Sequence, residues 1–326
     1  MKERNYIFDA VKAFAIWLVV LGHCVQYLSG LDFRNDGLYQ FIYSFHMPLF
    51  FMVSGFFFST SMKLSSMEFL RKKGISLLLP CFVWGFIVAC CRFQSLELLI
   101  RDIFLPIQWP FWFFKTLFVV QLIAYASLRV VSILCKNEKL ALATAILISL
   151  GFTFIPYLGM ARMMIPMFWI GYIIKRYYAQ FVQYHRIIAI IALILFIGIY
   201  CLRCGLTNSD LIIIEIVFKL FKWSLAITGS LAVISAMHEL KTKRQFISVV
   251  GTSTAGIYII QTFVLEKGLH LLFEKYTDFC NLSLFVNYLL MFAISIALLA
   301  IITWIYKQLC KSKFIALIFF GHEQKK

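Results

Sequence analysis

The chain has 326 residues, 62% hydrophobic and only 14% charged, with a formal net charge of +16. Soluble domains run at roughly 45–50% apolar and 25% charged residues, so this composition excludes a soluble protein and predicts an all-α, polytopic membrane protein. Its length suits a single integral membrane domain over residues 1–326, without a second globular domain.

A membrane span needs about 20 mostly apolar residues. Ten segments are expected to cross, near 11–29, 40–60, 76–92, 110–131, 140–158, 163–178, 186–204, 215–237, 249–271 and 283–306. The sixth is short, and the eighth opens with Lys219 and Lys222. Lys2 and Arg4 precede the first apolar run as in a signal peptide, but no A-x-A site follows and the run carries His23, so the span is expected to be retained. The apolar stretch from Phe314 to Phe320 is too brief to cross and is expected at the interface. With the N-terminus in the cytoplasm, the cytoplasmic segments collect 21 of the 31 Lys and Arg residues, as the positive-inside rule requires. Both termini are then cytoplasmic (N-in/C-in). The positive excess is mostly this topology signal, so no nucleic-acid partner is expected. Nine cysteines are scattered along the chain. Cys201 and Cys204 have C-x-x-C spacing without a second pair or nearby histidine, and are read as packing residues.

The informative residues lie in the first two spans. Lys12 and His23 are 11 residues apart, which on an α-helix is about 16.5 Å and close to three turns. They share a face at different depths. Asp9 lies on nearly the same face, and Gln26 and Tyr27 continue it. A polar stripe on an otherwise apolar span should line a cavity or a neighbouring helix rather than lipid. His46 falls in the second span as far from its outer end as His23 does in the first, so the two imidazoles are expected at similar depth on adjacent helices. Pro48 loosens the helix there, and Ser54 with Gly55 permits close helix approach. Histidine suits proton transfer because its reference pKa of about 6.5 lies near working pH. With no Cys or carboxylate cluster at that depth, no metal site is expected.

Several segments resemble a known family. Asp9-Ala-Val-Lys12 leading to Leu21-Gly22-His23, then Phe45-His46-Met47-Pro48 and Ser54-Gly55, are similar to the opening motifs of acyltransferase family 3, bacterial integral membrane acyltransferases. Phe69-Leu70-Arg71-Lys72-Lys73 before Leu78-Leu79-Pro80 resembles its basic loop. Trp112-Phe113 with Leu117-Phe118, the run from Pro166 to Tyr172, and the run from Gly251 to Tyr258 resemble later motifs in order. The resemblance implies transfer of an acyl group, commonly acetyl from acetyl-CoA, to a hydroxyl of a surface glycan or lipid-linked sugar in the bacterial cytoplasmic (inner) membrane. It implies that Lys12 and His23 are essential. Two positions depart from the pattern. Many relatives have Arg at Lys12, so bidentate phosphate recognition is less secure here. Many have histidine at Gln261, which cannot shuttle a proton and is given no chemical role.

The expected mechanism places acyl-CoA phosphates on Lys12 and on the Arg71, Lys72 and Lys73 group. The thioester then lies along the first helix towards His23, which acts as general base or takes the acyl group itself. His46 orients it or hydrogen-bonds the carbonyl oxygen. Asp9, Ser54 and Trp112 are expected to contribute to substrate or donor binding. Aromatic residues from Trp109 to Phe114 are read as an interfacial belt, with a sugar-stacking wall as the sharper alternative. Arg162, in a short outer loop, is a candidate contact for a glycan or lipid phosphate. The rival function is a transporter or flippase of a polysaccharide or polar lipid.

Overall fold

A computed structural model describes residues 5–30, 32–91, 111–205, 215–240, 245–265 and 283–322. In chain order the α-helices are α1 Tyr6–Leu28, α2 Gly37–Phe57, α3 Ser66–Lys73, α4 Leu79–Cys91, α5 Trp112–Leu134, α6 Glu138–Gly151, α7 Ala161–Arg176, α8 Tyr178–Gly205, α9 Glu215–Leu240, α10 Gln245–Thr252, α11 Thr254–Val264, α12 Leu284–Leu309 and α13 Lys313–Phe320. The described residues contain no strand, so the all-α expectation holds.

Among the described residues, six helices are long and apolar enough to cross a membrane: α1, α2 with its 3-10 extension to Lys63, α5, α8, α9 and α12. The pair α10 and α11, bent by 73° at Ser253, makes a seventh if it forms one broken span. Each of the ten expected segments meets a helix, but α4, α6 and α7 have only 13, 14 and 16 residues. The reasons are local. A π-helical turn at Gly74–Leu78 takes the start of the third segment. Two 3-10 turns, Phe152–Phe154 and Pro156–Leu158, end the fifth. Tyr177 separates α7 from α8. Trp109, Lys241, Lys243 and Arg244 lie outside the described residues.

The chain forms two compact units, Met1–Phe50 with Tyr178–Gln308, and Phe51–Tyr177 with Leu309–Lys326. In the first unit, Asn5 caps α1 through the Phe8 amide, and Asp9 in the first turn complements the helix dipole. Asp36 accepts from the Tyr39 amide at 2.7 Å at the start of α2 and from Tyr288 Oη of α12 at 2.6 Å. α8 packs on α9, and Arg186 and His185 both reach Glu239 at 2.6 Å. Glycine permits the closest crossing in this unit: a Cβ at Gly251 of α10 would stand 2.0 Å from the Asp9 carbonyl oxygen of α1.

In the second unit, the Cβ positions of Gly55 and Gly171 would lie 1.9 Å from Phe168 O and 1.8 Å from Met52 O. The end of α2 and α7 therefore meet backbone to backbone, as the Ser54-Gly55 pair suggested. The expected basic loop is a capped helix: Ser65 and Glu68 form a capping box at α3. Phe69 anchors α3 by stacking on Tyr125 at 4.1 Å, and the Arg129 guanidinium donates to Leu64 O at 2.6 Å. α13 is the expected short apolar stretch. Ser312 caps its start, and Gly321 at φ +62° ends it with an αL cap, its amide donating to Leu317 O at 2.9 Å, followed by His322 N donating to Ala316 O at 2.8 Å. The Trp84 indole of α4 donates to Phe319 O at 2.8 Å and holds α13 in place.

Candidate active site

The first unit brings together four of the expected residues, Asp9, Lys12, His23 and His46. At the start of α1, Lys12 Nζ lies 2.9 Å from Asp9 Oδ1, an i,i+3 pair in which the carboxylate is buried and the lysine side chain is 23% exposed. Ser248 Oγ of α10 donates to Asp9 Oδ2 at 3.2 Å. Asp9 is thus a counter-ion of Lys12, held to α10 by the Ser248 hydroxyl and by the close approach of Gly251.

Further along the same face of α1, His23 Nδ1 lies 2.7 Å from Gln261 Oε1 of α11. Gln261 is completely buried. Its amide nitrogen donates to Thr262 Oγ1 at 2.8 Å and to Tyr258 O at 3.2 Å. The His23 ring meets Tyr27 edge-on at 5.8 Å, so the polar stripe continues as the sequence suggested.

His46 is buried, with its Nδ1 2.7 Å from Ile42 O one turn back in α2. A carbonyl only accepts, so Nδ1 carries the proton and, in the neutral ring, Nε2 holds the lone pair. Pro48 supplies no N–H to the carbonyl four residues earlier, that of Ser44. Tyr43 connects the two histidines' surroundings. Its ring sits where a Cβ on Gly22 would be 2.9 Å away, its hydroxyl donates to Gln26 at 3.3 Å, and His46 packs edge-on against it at 4.6 Å. Tyr39 stacks on its other side at 3.8 Å. The Nδ1 hydrogen bonds of the two rings go to different partners.

The other expected residues belong to the second unit. Arg71 and Lys72 are exposed on the last turn of α3, where cations suit the helix dipole. Lys73 is half-buried, and burial together with the neighbouring Lys72 charge pushes its ammonium down to about 8. Ser54 accepts from Gln121 Nε2 at 2.8 Å. Trp112 opens α5, edge-on to Phe113 at 6.4 Å. The expected aromatic belt is corrected at Phe111, Phe113 and Phe114, which are buried within the unit rather than turned to an interface. Arg162 lies on the first turn of α7 rather than in a loop and donates to Thr153 O at 2.9 Å, tying α7 to the 3-10 turn Phe152–Phe154.

Sequence reasoning named Gln261 without giving it a role, and missed Thr262, Ser248 and Tyr43. The adjacent pair Gln261-Thr262, one turn after Tyr258 in an apolar run, was the only available local sign of the polar cluster on α11. Among the described residues, no three His, Cys, Asp or Glu side chains converge on one point.

These features define a polytopic helical membrane protein whose first two spans carry imidazoles fixed by named partners. Residues 5–306 match a family model described as an acyltransferase domain, and the chain belongs to that family, acyltransferase family 3. Two curated relatives are both named nodulation protein NolL. The protein from Mesorhizobium japonicum is 30% identical over 127 residues, 36% of this chain and 34% of that protein. The protein from Sinorhizobium fredii is 33% identical over 97 residues, 28% of this chain and 26% of that protein. The chain therefore matches about a third or less of those relatives' length. No solved structure matches it.

Proposed function

We propose that this protein is a multi-pass acyltransferase of the bacterial cytoplasmic membrane, with both termini in the cytoplasm. It moves an acyl group, acetyl by preference, from acyl-CoA to a hydroxyl of a cell-surface glycan or lipid-linked sugar. The observation that carries this reading is a partnered imidazole inside a span of a chain that belongs to an acyltransferase family. A half-buried histidine held by a buried amide is a costly feature in a membrane protein, and such groups mark function.

In this reading the donor's phosphates meet Lys12, and its thioester extends along α1 towards His23. His23 removes the proton of the acceptor hydroxyl as that oxygen attacks the thioester carbonyl carbon. The C–S bond then breaks, and the imidazolium returns its proton to the thiolate, giving ester and free CoA thiol. If the ring takes the acyl group itself, its unprotonated nitrogen attacks the thioester carbon and the C–S bond breaks to expel the CoA thiolate; the acceptor oxygen then attacks the acyl carbon, the C–N bond breaks back to the ring, and the hydroxyl proton passes to the thiolate, giving ester and free CoA thiol. His46, whose Nε2 only accepts in the neutral ring, orients the acceptor by taking a hydrogen bond from its hydroxyl group. Arg71, Lys72, Lys73, Ser54 and Trp112 are proposed contacts for donor or acceptor, and membrane lipids surround the spans.

The test is His23→Ala in purified proteoliposomes, with insertion confirmed, assayed for free CoA release from acetyl-CoA and for acetylated acceptor. The expected result is loss of transfer by at least about 100-fold, the scale of positioned acid–base catalysis. Undiminished transfer would overturn the assignment. Mass spectrometry of surface glycans with and without the gene identifies the acceptor by the lost acyl mass.

A further inference from the structure

We propose that Gln261 is a positioning residue that fixes His23 in the tautomer protonated on Nδ1, so that Nε2 is its reactive nitrogen. This inference rests on the proposed role of His23. The orientation of the amide follows from the donors around it. Thr262 Oγ1 donates its one hydrogen to Tyr258 O, at 2.8 Å. The same oxygen is then left only as an acceptor towards Gln261, which must present its NH2 group there at 2.8 Å. The Tyr258 carbonyl, 3.2 Å from the same nitrogen, also only accepts. Rotating the amide by half a turn would set its oxygen against the Tyr258 carbonyl oxygen and would draw the Thr262 hydrogen away from that carbonyl. Gln261 Oε1 is therefore the atom that faces His23, and at 2.7 Å it requires Nδ1–H.

The neutral ring then has its lone pair on Nε2. An amide gains and loses no proton at working pH, so Gln261 does not relay protons. It sets which ring nitrogen accepts one. The whole arrangement comes from one turn of α11, Tyr258 to Thr262, and Gln261 is completely buried. Presenting the wrong histidine tautomer costs a serine protease about 10⁴ in turnover, which sets the upper scale here.

Two substitutions separate the alternatives. Gln261→Met keeps the volume and removes the acceptor. Gln261→Glu keeps an acceptor oxygen towards His23 in either ionisation state, because a protonated acid can donate to Tyr258 O and still accept from Nδ1–H. The expected result is a kcat loss of 10²–10⁴-fold in Gln261→Met, roughly the range bracketed by acid–base catalysis and a wrong tautomer. KM for acetyl-CoA should stay within a few-fold, and Gln261→Glu should recover most of the loss.

The direct readout is the nitrogen NMR spectrum of ¹⁵N-histidine-labelled protein in bilayers, with the His23 signals identified by their disappearance in His23→Ala. Wild type should show a protonated Nδ1 and an unprotonated Nε2, and Gln261→Met should lose that preference. A wild-type ring protonated on Nε2, or an unchanged tautomer and kcat in folded Gln261→Met, would overturn the inference even where His23→Ala is inactive. Full activity of His23→Ala would instead overturn the reading beneath it.

Discussion

The pair of Lys12 and Asp9 lets stability and donor binding be separated. At 2.9 Å, and with the effective dielectric of about 20 that suits partly buried pairs, the gross attraction is roughly 5–6 kcal/mol. Most of this is offset by desolvation, since the Asp9 side chain is only 8% exposed. Cutting one partner leaves a buried carboxylate without its Lys12 contact, a loss of about 3–5 kcal/mol in comparable buried pairs. Lys12 keeps partial exposure, so Lys12→Met should fall at the lower end, about 3 kcal/mol. Adding Asp9→Asn removes the buried charge that has lost Lys12 and should return stability to within about 1 kcal/mol of wild type. Donor binding should not return with it. A charged contact to phosphate contributes about 1.5–3 kcal/mol, so KM for acetyl-CoA should rise about 10–100-fold in both the single and the double variant. An acyl-pantetheine donor without phosphates should be used equally well by wild type and the double variant. The assays are the thermal midpoint of the folded-protein peak on size exclusion and steady-state kinetics in proteoliposomes. Recovery of KM for acetyl-CoA in the double variant, or equal impairment with the phosphate-free donor, would refute a phosphate role for Lys12.

Three further outcomes are expected. Gly251→Ala must move α10 away from Asp9 by more than an ångström, because its Cβ would otherwise stand 2.0 Å from a backbone oxygen; overpacking of this kind costs about 1–3 kcal/mol, read as a lower thermal midpoint with an acetyl-CoA KM that rises as Lys12 is displaced. Lys73 has its folded-state pKa lowered to about 8 while the unfolded chain keeps about 10.4. Its protonation therefore opposes folding, stability rises with pH between about 8 and 10.4, and peptide mapping after amine acylation should show half-maximal labelling of Lys73 near pH 8. Trp84→Phe removes the indole hydrogen bond to Phe319 O, about 1 kcal/mol, and should speed tryptic cleavage at Lys313 while leaving acyl transfer unchanged.

Hydropathy made the helical class and the position of most helices legible, because an apolar run in lipid has few structures open to it. Three kinds of feature escaped it. Helix breaks are one: 249–271 reads as one apolar segment, yet the chain bends 73° at Ser253 within a run of small and hydroxyl residues. The side an aromatic residue faces is another. Phe111, Phe113 and Phe114 sit where an interfacial belt would be expected, but a hydropathy scale treats lipid and protein interior alike, and these three face the interior. Helices built from charged residues are the third. Arg71, Lys72 and Lys73 look like a topology loop, whereas the capping box and Phe69 make them the end of α3.

The polar stripe on α1 was legible for a different reason: Asp9, Lys12 and His23 lie on one helix, where spacing alone fixes the face. Their partners were not, since Ser248 and Gln261 lie 239 and 238 residues away in sequence. Both belong to the bent pair, and the bend gives them different kinds of contact. At Gly251 the backbones of α10 and α1 touch, so that end of the stripe has no room for a side chain between them. At Gln261 the link runs through two side chains, an amide and an imidazole, so α11 stands off from α1 by their combined length. A straight helix continuing α10 would hold one spacing along the stripe. The 73° break instead closes α10 tightly on α1 beside Asp9 and sets α11 at side-chain distance from α1 beside His23, so that the Gln261 amide can reach the imidazole.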